Sequence, residues 1–245
     1  MSPDATLAFL LDSPLQSWGS SSRFQRRGTD AFPSKSGVLG LIAAAMGIDK
    51  NQPDEPERLA PLAALHFSVY ALPRITGKRE LPIQRLVDYH TVGGGYDEDT
   101  DPWARLSTPR KASGGPFGTV LTQRDYLADA VFAAVFQGPR ELLQSIAAAL
   151  HNPVWGVWLG RKACIPATPV AAFLADGIPE ALEKLLSQER GLWPDEAPWS
   201  FAPAKLLTRD LDDAEAAAPQ DGADTCADQP ISYGQRRYLT RTLRR

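Results

Sequence analysis

Apolar positions along the chain fall into short runs divided by polar, glycine- and proline-rich stretches, and the spacing inside each run predicts its element. Residues 5–12 (ATLAFLLD) are almost continuously apolar, the pattern of a strand buried on both faces. Residues 13–27 (SPLQSWGSSSRFQRR) read as a loop. In residues 32–47 (FPSKSGVLGLIAAAMG), Pro33 ends that loop, Ser34 and Ser36 are both competent N-caps, and Gly47 stops an apolar run, so a buried helix is predicted. Residues 49–58 are polar and proline-bearing, hence a connector, and residues 64–72 (ALHFSVYAL) predict a second strand. Two extended arms follow, 80–92 and 119–127, around a tip holding Gly93, Gly94 and Gly95, an acidic run at 97–101 and SGGPFG at 113–118. This is the pattern of a long hairpin whose tip cannot pack a core and stays mobile until something binds it. Beyond it, 128–136 predicts a strand, 140–151 a helix through Leu142, Leu143, Ile146 and Leu150, and 154–159 (VWGVWL) a strand. The order β, α, β, hairpin, β, α, β is the α+β, ferredoxin-like split βαβ pattern with an arm inserted between its halves, a scaffold shared with RNA-recognition domains.

The last third is less regular. A short helix is expected at 179–188, and residues 210–228 contain seven acids and no Lys or Arg, which reads as a linker. Residues 236–245 (RRYLTRTLRR) carry five arginines and no acid. That end is open to three readings: a solvated tail, an RNA contact, or a partner for the acidic stretch before it. The expected division is therefore 1–169, including the hairpin 80–127, and a C-terminal extension 170–245.

Candidate chemistry concentrates at a few places. Lys35, between the hydroxyls of Ser34 and Ser36, sits just after Arg23, Arg26 and Arg27. Cations, hydroxyls and the free N–H groups of a helix start make a phosphate site, and equally make a capped core helix with a solvated lysine. Trp18 and Phe24 beside those arginines suit stacking on bases, or anchoring the loop to the core. Tyr89 and His90 lie on a hairpin arm, Trp103, Arg105, Arg110 and Lys111 on its tip, and Arg161 and Lys162 directly after the predicted strand 154–159. His66 falls within a strand pattern and is assigned no function.

Composition narrows the classes. With 245 residues and 43% hydrophobic content the chain builds one large domain or two small ones. The start lacks a basic leader and no run reaches transmembrane length, so a cytoplasmic protein without membrane contact is expected. Two distant cysteines and three histidines suggest neither a disulfide framework nor a metal site, and no complete P-loop or Rossmann pattern suggests a cofactor. A net charge of −3 does not announce a nucleic-acid binder, although a local basic surface survives such a sum.

Four blocks carry a resemblance: LQSWG at 15–19, FPSKSGVLGLIAAAMGI at 32–48, DYHTV at 88–92, and YLADAVFAAV with WLGRKAC at 126–135 and 158–164. Together they resemble the CasD family of the RAMP superfamily, the subunits that bind the crRNA 5′ handle in type I-E CRISPR Cascade complexes of antiviral defence. The resemblance covers about 5–169. It implies a ferredoxin-like palm with the inserted hairpin as a thumb, and a non-catalytic RNA-binding subunit that caps one end of the complex. The implied partners are the crRNA 5′ handle, the backbone subunit CasC and the large subunit CasA, with target DNA met through the complex. It would place Trp18, Arg23, Arg26 and Arg27 in the palm loop and Ser34, Lys35 and Ser36 at the helix start. Tyr89, His90, Arg110 and Lys111 would lie on the thumb, and Arg161 and Lys162 at the rim of the sheet. A related branch cuts precursor crRNA without metal, so an endoribonuclease is the alternative, with Tyr89, His90 and Lys111 or Lys162 as its available groups.

Overall fold

The computed structural model describes residues 4–19, 22–23, 25–93, 111–113, 118–189, 200–212, 215 and 223–244. Phe24, Trp103, Arg105, Arg110 and most of the hairpin tip lie outside them. Strand β1 (Asp4–Asp12) is buried from Ala5 onward because it is covered twice. Leu7, Phe9 and Leu11 pack on helices α1 (Lys35–Ala45), α2 (Glu55–Ala63) and α3 (Arg140–His151). Ala8 and Leu10 face the other way, toward helix α4 (Ile178–Glu189). Alternation within one apolar run thus feeds two cores.

The strands around β1 are β2 (His66–Ala71), the hairpin arms β3 (Gln84–Gly93) and β4 (Thr119–Ala128), β5 (Val131–Pro139) and β6 (Ala172–Ala175). After α4 come β7 (Lys205–Asp210), β8 (Ala223–Ser232) and β9 (Arg237–Arg244). A seven-stranded sheet runs β6-β1-β5-β2-β7-β9-β8, with every pairing antiparallel. The arms β3 and β4 pair antiparallel from Gln84 opposite Ala128 to Gly93 opposite Thr119. Leu86, Val87, Tyr89, Val92, Val120 and Leu121 are exposed along this ribbon.

Three elements differ from the sequence-based expectation. Residues 154–159 form no strand. The last carbonyls of α1 lack intrahelical partners, and this segment supplies them: Val154 N donates to Ala45 O at 2.9 Å and Trp155 N to Ala44 O at 3.3 Å. The place beside β1 is taken instead by β6. Residues 49–58 are not wholly a connector, since α2 begins at Glu55, with proline in the first turn where a missing N–H costs nothing.

The third difference is the C-terminal region. The seven-stranded sheet takes strands from both sides of residue 169, and the strands 223–232 and 237–244 include the end of the expected linker and most of the expected tail. Arg241 is buried and donates through Nε to Asp228 Oδ1 at 2.6 Å and through Nη1 to Asp210 Oδ1. Of the three readings of the basic end, pairing with the preceding acids is therefore the one realised at Arg241.

Candidate nucleic-acid interface

An open groove of about 460 Å³ runs along the side of α1. Ser34, Ser36, Gly37, Gly40 and Ala44 form its floor, and the loop residues Arg27 and Gly28 one wall. Trp158, Gly160 and Arg161 bound it from the segment after α3, and Tyr233 and Tyr238 from the β8–β9 hairpin. The loop and that segment meet backbone to backbone: Ser17 N donates to Leu159 O at 3.1 Å. Gly160 has φ +102°, and a Cβ there would fall 1.8 Å from Ser17 O, so no other residue fits.

Arg161 clamps the loop to the base of the hairpin. Its Nη1 donates to Asp125 O at 2.9 Å, and its Nη2 to Arg27 O at 2.6 Å and Gly28 O at 3.1 Å. The guanidinium also lies 4.8 Å from the Tyr126 ring centroid. A planar fork with several donors makes this set of contacts, and an ammonium cannot. Arg161→Lys is expected to cost about 1–2 kcal/mol in a urea melt, since two neutral acceptors lose their donor. A midpoint equal to the wild type's would show that the clamp holds nothing.

The expected site residues divide into three groups. Arg27 is exposed and lines the groove. Arg26, its neighbour, has a side chain 70% exposed, 3.6 Å from the Asp125 carboxylate. Arg23 pairs in register with Arg26 across a two-residue ladder. Lys162 is exposed, with Nζ 5.9 Å from the Trp158 ring centroid.

Trp18 and Lys35 belong to the core, against expectation. Trp18 is 1% exposed; its Nε1 donates to Gln16 Oε1 and its backbone N to Thr29 Oγ1, so its faces are not free for a base. Lys35 is 2% exposed, and its Nζ donates to Leu65 O at 2.7 Å and Asp210 Oδ2 at 2.9 Å. Burial holds its basicity below the ordinary lysine range, against the opposing pull of Asp210. The helix start is occupied too. Lys35 N donates to Asp228 Oδ2, Gly37 N to Ser34 Oγ and Val38 N to Ser34 O. Hence the hydroxyl-bearing end of α1 contributes its side, through Ser34 and Ser36, and not its tip.

The third group stands on the hairpin. Tyr89 is 63% exposed, while His90, next on the same strand, is half-buried with an Nδ1 that finds no protein partner among the described residues. Successive strand residues point to opposite faces, so the two do not converge. Lys111 is exposed. Sequence reasoning missed Trp158, Tyr233 and Tyr238; the interleaving of rings and arginines in YGQRRY, 233–238, was the available signal. Among the described residues no group of three metal-ligating side chains stands together, and no helix is long and apolar enough to cross a membrane.

The family model described as CRISPR-associated protein (Cas_Cas5) matches residues 6–241, nearly the whole chain. The chain belongs to the Cas5 family. Among its relatives is the CRISPR system Cascade subunit CasD of Escherichia coli (strain K12), 29% identical over 161 residues. That match covers 64% of this chain and 66% of the relative, so the chain spans just under two thirds of the relative's length. Two solved structures are similar at 28% identity. One, described as a crystal structure of a Cas protein, has a TM-score of 0.58 and is matched over 98% of this chain and 92% of its own. The other, described as a CRISPR RNA-guided surveillance complex, has a TM-score of 0.61, with 98% and 88% covered. Cas5 membership and these likenesses agree with the mixed α/β architecture of the chain.

Proposed function

We propose that this Cas5 chain grips the 5′ handle of a crRNA as a non-catalytic subunit of a cytoplasmic type I-E Cascade complex and caps its backbone in antiviral defence. The observation that carries the reading is the groove beside α1. It is open and floored by small residues, and it joins a cation at Arg27 to Arg161 and to the rings of Trp158 and Tyr238. Single-stranded RNA is held by cations that follow its phosphates and rings that meet its bases. The strand order β6-β1-β5-β2, with the first and third strands central, supports a ferredoxin-like palm. The paired arms β3 and β4 suit a thumb, and their exposed Leu86, Val87 and Val120 suit burial against a protein such as the backbone subunit CasC. Contacts with CasA, and with target DNA through the complex, belong to the same reading.

The endoribonuclease alternative draws less support. General acid–base cleavage needs its groups within reach of one phosphate, whereas Tyr89 and His90 sit on opposite faces of a strand. The test is to purify the tagged chain with the products of its neighbouring genes and sequence the RNA that accompanies it. A small RNA with a constant 5′ end is the expected result; no RNA, or RNA without a common end, refutes the proposal. His90→Ala separates the two roles. Binding by His90 predicts a loss of about 1–3 kcal/mol in RNA affinity with RNA length unchanged. A general base predicts affinity kept and cleavage of a labelled repeat hairpin slowed roughly 10²–10⁴-fold.

A further inference from the structure

A second recess adjoins the groove and shares Gly40, Ala44, Tyr233 and Tyr238 with it. Its volume is about 530 Å³. Two of its rings are accessible, Trp155 at 44% and Tyr238 at 40% exposure, and the cations Lys50 and Arg236 stand on its lining. The acid on that lining, Asp49, is turned into its own loop, where its Oδ1 accepts from Asn51 N at 2.9 Å and Nδ2 at 3.0 Å. We propose that this recess holds one unpaired base of the RNA whose phosphates follow the groove, stacked against Trp155 or Tyr238.

The inference rests on the RNA reading of the groove and adds to it where a base goes. Three features argue for a base over any other occupant. First, the recess borders the groove and shares Gly40, Ala44, Tyr233 and Tyr238 with it, so a strand that leaves Arg27 along α1 runs toward it. Second, flat rings beside cations match a nucleotide, which brings a π-face and a phosphate together. Third, the rings stand on fixed backbone, which spares the ordering cost of binding. Trp155 N is bonded to Ala44 O.

The β8–β9 turn is held more firmly still. The buried Glu55 carboxylate accepts from Ser232 Oγ at 2.5 Å, Tyr233 N at 2.7 Å and Gly234 N at 3.3 Å. A Cβ on Gly234 would lie 2.1 Å from Lys50 O, so the turn sits directly on the α1–α2 loop. Tyr233 Oη donates to Ser36 O at 2.6 Å, and its ring meets Tyr238 edge-on at 6.4 Å between centroids. Glu55 is thus a positioning residue for the recess.

The experiment uses the full chain assembled with its partner subunits on its own crRNA, with 5-iodouridine placed at one handle position at a time. Irradiation followed by peptide mapping is expected to find one position that crosslinks to Trp155 or Tyr238. The double variant Trp155→Leu, Tyr238→Leu should abolish that crosslink and weaken RNA retention roughly tenfold. Both rings are substantially exposed, so an unchanged thermal midpoint is the control for folding. Crosslinks found only elsewhere, with RNA still retained through Arg27, would overturn the recess and leave the groove reading intact. A wild-type complex that retains no RNA would overturn both.

Discussion

Asp228→Ala is expected to lower the free energy of unfolding by about 3–5 kcal/mol, read as a fall in the urea midpoint. Asp228 is 2% exposed, and its two oxygens accept three bonds: Arg241 Nε at 2.6 Å, Arg241 Nη2 at 3.0 Å and Lys35 N at 2.9 Å. The cluster balances two cations, Lys35 and Arg241, against two carboxylates, Asp210 and Asp228. Burial alone would weaken the hold of Arg241 on its proton, but Asp228 and Asp210 outweigh burial and raise its basicity. Lys35 shows the reverse balance, because burial outweighs its one close carboxylate. Deleting Asp228 therefore strands a positive charge and a helix N–H in a dry site, which costs far more than the pair contributes when intact. Asp228→Asn keeps the acceptor for Lys35 N and should cost less. Equal midpoints for wild type and Asp228→Ala would mean that the β8–β9 hairpin does not lie against α1.

Charge reversal in the loop is expected to have the largest effect on RNA. Arg27→Glu combined with Arg26→Gln should weaken retention of RNA by the assembled complex by about 1.5–3 kcal/mol for each phosphate that the loop no longer holds, roughly ten- to a hundredfold each. Glutamine is the better replacement at Arg26, because a carboxylate there would face Asp125, which is 3% exposed. The slope of affinity against salt should shallow by about 0.7 for each such phosphate on a single strand. Arg27 is exposed, whereas Arg26 stands 3.6 Å from the buried Asp125 carboxylate, so an unchanged urea midpoint is the control for folding. Unchanged retention with an unchanged slope would put the RNA on another face.

What could be read in the sequence followed what is local. Strand β1 was legible because both its faces are buried, and α3 because Leu143, Ile146 and Leu150 recur at helical spacing. The hairpin arms announced themselves through the turn residues between them. The run 154–159 misled because its apolar content says that the segment packs, not what its backbone bonds to. Helix α2 hid behind its proline and its charges. Arg27 and Arg161, which line the groove, were legible as candidates because a cation beside glycine in a loop is a local feature. Lys35 looked the same, and its difference lies in a carboxylate 175 positions away. Residues 210–228 read as a linker for the same reason: counting acids cannot show that two of them neutralise cations inside the core.

That separation along the chain also sets an order in time. The ribosome makes Lys35 long before Asp210, and at about 5–20 residues per second the interval is roughly 10–35 s. Throughout it, the start of α1 has neither the carboxylates that close it nor the turn that carries Tyr233 and Tyr238. A nascent chain can assemble β1, β5 and the helices above them while the groove beside α1 still lacks a wall. If the groove holds RNA as proposed, that competence is acquired late in synthesis, when the β8–β9 hairpin docks, and a truncated product should be deaf to RNA even where its first sheet has formed.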